Sequence, residues 1–152
     1  NLSINILEQL TKLGLIRANK EQVLLDKYTK RMNMRYSAYH QRIVGLSGGN
    51  QQKVLLARAL SSDCKVLIML EPTRGVDVGA KSEIYALLEE LAKEGMAILV
   101  VSSELPEIIS TCHRTLAVFQ GKITGDIPKE KMEEAFILQC ATGNKTYFGG
   151  EK

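Results

Sequence analysis

The hydrophobic residues at the start of the chain repeat with the period of a helix. The first predicted helix runs from Asn1 to about Leu15, where Gly14 can end it. Its apolar face is formed by residues three or four positions apart: Ile6, Leu7, Leu10 and Leu13. A second helix is predicted from Asn19, which together with Gln22 resembles a capping box. The inner face of that helix is expected to hold Val23, Leu24, Tyr28 and Met32.

From residue 65 onward, short apolar runs alternate with helical patterns. Residues 65–70 and 97–102 are apolar throughout, which is typical of strands covered on both faces. Residues 80–94 between them have a helical period, so a parallel strand–helix–strand unit with a right-handed crossover is expected. The later predicted elements are a short helix at 105–111, a hairpin of strands 115–119 and 122–126, and a helix at 129–141. These patterns place the chain in the α/β class.

A polar, glycine-bearing segment, residues 47–51, precedes an apolar helix. Gly48 and Gly49 lack a Cβ, so their backbone can approach a ligand closely or adopt a positive φ. The start of a helix carries unpaired N–H groups and a partial positive charge, which suits an anion such as phosphate. The helix is expected to bury a wide face: Val54, Leu55, Leu56, Ala59 and Leu60. A turn followed by an N-cap would give the same short pattern, so the motif needs support from its surroundings.

The residues that follow supply this support. Leu46-Ser-Gly-Gly-Asn-Gln51 resembles the signature motif of ATP-binding cassette (ABC) ATPases. Together with residues 71–81, its Asn-Gln-Gln version resembles the second cassette of bacterial sugar importers of the ribose and galactose type. The resemblance is strong from Gly45 to about Gly143. It implies a partial P-loop NTPase fold of the ABC cassette kind, with parallel strands flanked by helices and a short C-terminal hairpin.

The same resemblance implies a domain organisation and a set of site residues. Residues 1–44 are expected to be part of a helical subdomain, and residues 45–143 the signature-to-C-terminal part of the ATPase domain. The remaining tail, residues 144–152, is expected to be disordered because it contains Gly149 and Gly150. In this family, two cassettes sandwich ATP, and the signature of one covers the γ-phosphate held by the other. The residues expected to contact that phosphate are Ser47, Gly48, Gly49, Asn50 and Gln51.

Two further residues are assigned by their place in the motifs. Glu71 stands at the position of the catalytic glutamate, where a carboxylate can orient or deprotonate a water molecule. The alternative is that Glu71 is an acidic residue at the end of a strand with no catalytic role. Asp77 stands where the family carries an aspartate that orders the interface between cassettes. It could also simply cap the helix that follows.

The chain departs from the family pattern at Leu70 and Ser103. Leu70 replaces an aspartate that helps to hold Mg²⁺, and a leucine offers no oxygen ligand, so we assign no metal ligand. Ser103 replaces the switch histidine, and serine supplies no imidazolium. The sequence also contains no G-x-x-x-x-G-K-[ST] phosphate loop. We therefore expect a partner cassette to hold most of the ATP and Mg²⁺, and this chain alone to be inactive.

Composition excludes several classes. The net charge of +3 is mild, so the basic stretch at residues 27–42 favours a solvated helix face over a nucleic-acid patch. No metal-ligand spacing links the cysteines and histidines: Cys64, Cys112, Cys140, His40 and His113. No apolar run approaches the roughly 20 residues that span a bilayer, and no signal peptide is recognisable.

The sequence therefore predicts an ATP-binding component of an ABC importer, for a sugar, that couples ATP hydrolysis to transport. Its expected partners are a second cassette, a membrane permease and a periplasmic or lipoprotein substrate-binding protein, without nucleic acid. Its expected location is the cytoplasmic face of the cell membrane. The first alternative is a non-catalytic interaction module derived from a cassette. The second is the head of a DNA-maintenance ATPase, which the lack of coiled-coil heptads disfavours.

Overall fold

The computed structural model describes residues 2–12, 15–38 and 41–149. The predicted helix stop at Gly14, the apolar Leu13, and His40 lie outside the described residues. The chain divides into two compact units, one of residues 1–68 and 72–99 and one of residues 69–71 and 100–152. The domain boundaries drawn from the sequence stay predictions.

The described residues between 2 and 15 do not form the single helix that the apolar spacing predicts. A short 3₁₀ helix, Ile4–Ile6, leads into α1, Leu7–Leu10. The chain then forms an antiparallel pair of two-residue strands, β1 (Thr11–Lys12) and β2 (Leu15–Ile16). The helix ends because Thr11 adopts an extended backbone, and its hydroxyl donates to the Leu7 carbonyl. Threonine is β-branched, and its hydroxyl competes with backbone N–H groups for carbonyl acceptors. Both properties favour ending the helix before Thr11.

Helix α2, Ala18–Arg31, confirms the second predicted helix but not its capping box. Its N-cap is Arg17 without a side-chain cap, and the Gln22 amide donates instead to Asp26 at 3.1 Å. Tyr28 and Met32 are buried as predicted, whereas Val23 is 70% exposed and therefore lies on the outer face. The Tyr28 hydroxyl donates to the Leu60 carbonyl at 3.0 Å, and burial raises the pKa of this phenol.

The next elements are α3 (Gly48–Leu60), β3 (Val66–Leu70), α4 (Val78–Lys93) and β4 (Ala97–Val101). The Lys65 carbonyl accepts from the Ala97 N–H, and the Val101 carbonyl accepts from the Glu71 N–H. The two strands therefore run parallel, as predicted. Leu67 and Met69 are buried, but the opposite face of β3 is exposed: Val66, Ile68 and Leu70. The prediction that both faces are covered is wrong for the described residues, because the face that carries these three side chains remains exposed.

The second unit contains the helices α5 (Leu105–Thr111) and α6 (Glu134–Ala141) and the strands β5 (Arg114–Phe119), β6 (Lys122–Pro128) and β7 (Tyr147–Phe148). β5 and β6 form the predicted hairpin, closed by Gln120 and Gly121, which both have positive φ. Helix α6 begins five residues later than predicted, after a 3₁₀ turn at Lys129–Lys131. No helix in the described segments is long and apolar enough to cross a membrane.

The predicted disordered tail contains strand β7, which pairs in parallel with β6. The Tyr147 ring packs edge-on against Phe136 of α6, with 5.3 Å between the ring centroids. Both rings border a small core that explains the order of this segment: Ala117, Ile127, Met132, Ile137 and Cys140. The prediction of disorder is therefore wrong for the described part of the tail.

Candidate functional site

The segment predicted as a loop, residues 47–51, is the N-cap and first turn of α3. Ser47 is the exposed N-cap, with an extended backbone (φ −61°, ψ 155°), and its side chain makes no capping bond to the helix. Its carbonyl accepts the first intrahelical bond, from the Gln51 N–H at 2.9 Å. The N–H groups of Gly48, Gly49 and Asn50 come before that bond and therefore have no acceptor within the helix.

The two glycines are required by close packing within the chain. A Cβ on Gly48 would lie 2.8 Å from the Gly75 carbonyl oxygen, and a Cβ on Gly49 would lie 2.5 Å from the Ala80 Cβ. Neither glycine has a positive φ. The start of α3 therefore lies directly against the segment that leads into α4. This contact, rather than an unusual backbone conformation, excludes larger residues at both positions.

Asp77 caps α4. Its Oδ1 accepts from the Ala80 N–H at 2.9 Å, which is the side-chain bond expected of an N-cap aspartate. The capping alternative raised by the sequence is therefore present. The neighbouring Val78 is 82% exposed, so the start of α4 is open to solvent beside the start of α3. A role for Asp77 at an interface between cassettes stays a prediction.

The side-chain amides of Asn50 and Gln51 are both used within the chain. Asn50 Oδ1 accepts from the backbone N–H of Arg35, and Asn50 Nδ2 donates to Ser47 Oγ, both at 2.9 Å. Gln51 Nε2 donates to the Leu46 carbonyl at 2.8 Å. The Ser47 hydroxyl and the first-turn N–H groups remain available to a ligand at this end of the helix. Each of these groups can donate a hydrogen bond, so the site matches an anion.

A buried lysine holds α3 against α4. Lys53 is only 5% exposed, and its ammonium forms an ion pair with Glu83 and also donates to the Asn33 carbonyl at 3.3 Å. This bond from Lys53 holds the pKa of the Glu83 carboxyl below its usual value. Sequence reasoning missed the pair. The available signal was spacing, since Lys53 is four residues after Gly49 and so lies on the same helix face.

Glu71 directly follows β3 and has a left-handed backbone (φ 48°). One of its carboxylate oxygens accepts from the Ser103 N–H at 2.9 Å, so the structure brings these two predicted residues together through the Ser103 backbone. Leu70 beside it is 74% exposed. The second carboxylate oxygen of Glu71 remains available to a water molecule. This geometry allows Glu71 to orient a water molecule. Ser103, which contacts Glu71 through its backbone, adds no second acid or base.

Metal ligands are scarce around these residues. Among the described residues, no three His, Cys, Asp or Glu side chains lie together in a way that could hold a metal ion. The donor set at the start of α3 suits phosphate oxygens and would repel a cation. The cysteines do not form disulfides: Cys64, Cys112 and Cys140.

Comparisons with known proteins agree with this geometry. A family model described as "ABC transporter" matches residues 3–74. The chain is 48% identical to the ribose import ATP-binding protein RbsA 2 of Rhizobium meliloti over 94% of its length, but it covers only 28% of that relative. It is 44% identical to the xylose import ATP-binding protein XylG of Thermoanaerobacter pseudethanolicus, over 95% of this chain and 29% of the relative. The chain thus spans less than a third of the length of these curated relatives.

Solved structures show the same fold. An inward-facing metal-chelate-type ABC transporter superimposes with a TM-score of 0.76 at 20% identity, over 93% of this chain and 56% of the other. The cassette cbiO1 from Clostridium perfringens gives a TM-score of 0.66 at 26% identity, over 90% of this chain and 51% of the other. The fold class predicted from the sequence is therefore confirmed. Residues 3–74 thus match the ABC transporter family model, and the chain has the fold of part of an ABC cassette.

Proposed function

We propose that this chain is part of the ATP-binding component of an ABC importer for a sugar, and that the start of α3 contacts the terminal phosphate of an ATP held by a partner cassette. The observation that carries this proposal is the set of hydrogen-bond donors at the start of α3, where Ser47 and Gly48 are exposed, built at the motif that resembles the family signature. The relatives named above are sugar-import ATP-binding proteins, which supports the substrate class.

The chemistry suits phosphoryl transfer. In that reaction, negative charge is spread over the oxygens of the transferred group, and fixed donors stabilise it without reorganisation. The Ser47 hydroxyl and the first-turn N–H groups can supply such donors. Mg²⁺ needs oxygen ligands, which Leu70 lacks, so the partner cassette would hold the metal with its own residues. ATP bound in this way neutralises the partial positive charge at the helix start.

The proposed partners follow from the import function of the relatives. Import requires a permease that crosses the membrane, and a protein that delivers the sugar to it. We place this chain on the cytoplasmic face of that membrane, next to the permease and the second cassette. Glu71 is our candidate for orienting water, as a carboxylate held at one oxygen by the Ser103 N–H.

The test uses the intact protein assembled with its permease. Ser47→Arg would place a long cation in the phosphate position, and we expect ATP hydrolysis to fall at least about 100-fold, as when a key donor is lost. Ser62→Arg is the matched control, because Ser62 is an exposed serine just beyond the other end of α3. Unchanged hydrolysis by Ser47→Arg in a complex that still assembles would reject the proposal. It would favour the non-catalytic interaction module instead.

A further inference from the structure

The carboxamide of Asn50 has a defined orientation. One end faces the Arg35 backbone N–H, which is a donor and can only be met by the amide oxygen. The other end faces Ser47 Oγ and must therefore be the amide nitrogen, which donates to that oxygen. The assignment follows from the backbone donor alone, so the direction of both bonds is fixed.

This orientation determines what Ser47 can do. Because Ser47 Oγ accepts from Asn50, its own hydroxyl hydrogen is directed away from Asn50. Ser47 is exposed and makes no capping bond to the helix, so that hydrogen can be donated to a ligand. A serine without such a neighbour can rotate its hydroxyl, and it can either donate or accept. A donor is what a phosphate oxygen requires.

We propose that Asn50 is a positioning residue that fixes the Ser47 hydroxyl as a donor to the phosphate, rather than a residue that contacts the phosphate itself. This inference rests on the proposed function of the start of α3. It changes the role expected from the motif, in which Asn50 is one of the phosphate-contacting residues. It also links the site to Arg35, which lies four residues after the end of α2.

The segment before α3 is itself ordered by a second amide. Gln41 Oε1 accepts from the Ser37 N–H at 2.7 Å, and Gln41 Nε2 donates to the Gly45 carbonyl at 3.1 Å. These bonds restrain the ends of the segment on either side of Gln41. Arg35 lies two residues before Ser37, and through Asn50 the orientation of Ser47 depends on this backbone outside the signature motif.

The experiment is a double-mutant cycle on ATP hydrolysis by the intact protein in its transporter, with Mg-ATP as the probe. We expect Ser47→Ala to lower the rate about 100-fold and Asn50→Ala about tenfold, the equivalent of one hydrogen bond. If Asn50 acts through Ser47, the double variant is no slower than Ser47→Ala. Independent contacts would instead multiply, to about 1,000-fold.

A second variant protects the test against misfolding. Asn50→Asp keeps an oxygen for the Arg35 N–H but replaces the donor to Ser47 with a carboxylate that accepts the Ser47 hydrogen. We expect it to lose more activity than Asn50→Ala, by about a further tenfold. Gln52→Glu adds the same charge two residues further along α3, and we expect it to change the rate less than about threefold.

The outcomes are distinct. A double variant as slow as Ser47→Ala, with Asn50→Asp worse than Asn50→Ala, supports the inference. Multiplying effects of Ser47→Ala and Asn50→Ala overturn it but leave the proposed function standing. A Ser47→Ala variant with unchanged hydrolysis overturns the proposed function, and the inference with it.

Discussion

The start of α3 and the end of β3 both carry residues that the family motifs mark as functional, but they are built differently. At the start of α3, the glycines lie against Gly75 and Ala80, and two side-chain amides are bonded within the chain. The end of β3 has one carboxylate, Glu71, held by a single backbone N–H. The functional groups of the first region are supported from several sides, whereas the Glu71 carboxylate is held by one bond.

The difference indicates which region has kept its chemistry. Catalytic donors act only if they are held in place before the reaction, and the start of α3 has the close packing and the buried Lys53–Glu83 pair that achieve this. At the end of β3, a base would need a metal ligand and an imidazole nearby, and Leu70 and Ser103 supply neither. We infer that this chain contributes to an ATP site through its signature residues rather than through Glu71.

The largest effect is expected where the packing is tightest. Gly49→Ala places a methyl group 2.5 Å from the Ala80 Cβ, so α3 must move away from α4. We expect a loss of about 2 kcal/mol in the free energy of unfolding, as is typical of overpacking, despite the better helix propensity of alanine. The measurement is urea unfolding of the purified chain followed by circular dichroism.

Gly79→Ala is the matched control, because Gly79 is the second residue of α4 just as Gly49 is the second residue of α3. An added Cβ there meets Asp77 Oδ1 at 3.4 Å, which is ordinary contact. This variant is expected to gain about 0.5 kcal/mol. Adding Ala80→Gly to Gly49→Ala should recover stability, and a double variant less stable than Gly49→Ala would refute the clash.

These glycines also show what a sequence can and cannot specify. The motif marks Gly48 and Gly49 as special, but it does not tell whether the close neighbour is a ligand or the chain itself. The neighbour, Ala80, lies 31 positions away from Gly49 and is known only once the fold is known. Lys53 and Glu83 were missed for the same reason. Strand β3 and helix α4 were predicted correctly because hydrophobic periodicity is a local property.

The wrong predictions concern which face of a helix is buried and where a helix ends, and these depend on packing and on single residues. Val23 fits the helical period of its neighbours, yet it is exposed because the partner of α2 lies on the side of Tyr28. Thr11 fits the first helix only if its preference for extended backbone is ignored. Periodicity identifies a helix better than it identifies its ends or the direction of its buried face.

An intermediate effect is expected at the Lys53–Glu83 pair. Glu83→Gln keeps an oxygen for Lys53 but removes the charge opposite a buried ammonium, which should cost about 1 kcal/mol of unfolding free energy because Glu83 itself is half-exposed. Glu89→Gln on the same helix, opposite the exposed Lys93, is the control and should cost at most about 0.5 kcal/mol. Equal losses in the two variants would show that burial of Lys53 adds nothing.

The same pair predicts a pH dependence with a definite sign. The pKa of Glu83 is lowered in the folded chain from its ordinary value of 4.5, so its contribution is fully present above that pH and is lost as the pH falls through the folded pKa. Wild-type stability should therefore decline below about pH 4.5 more steeply than that of Glu83→Gln. Urea midpoints measured from neutral to acidic pH would test this, and parallel curves for the two proteins would contradict it.

The smallest effect is expected at Glu71, and it gives the sharpest test of the comparison. Glu71→Gln can still accept from the Ser103 N–H, so the backbone at φ 48° keeps its support, and only the charge is lost. If Leu70 and Ser103 have removed the chemistry from this end of β3, hydrolysis by the assembled transporter should change less than about twofold, within the range of an exposed charge. Glu71→Ala also removes the hydrogen bond from the Ser103 N–H. The difference between the two variants therefore shows how much of any loss is due to that bond. A fall of about 100-fold in Glu71→Gln alone would be the loss expected of a general base. Both regions would then contribute to catalysis. Residues outside this chain would have to replace the metal ligand and the imidazole that Leu70 and Ser103 do not supply.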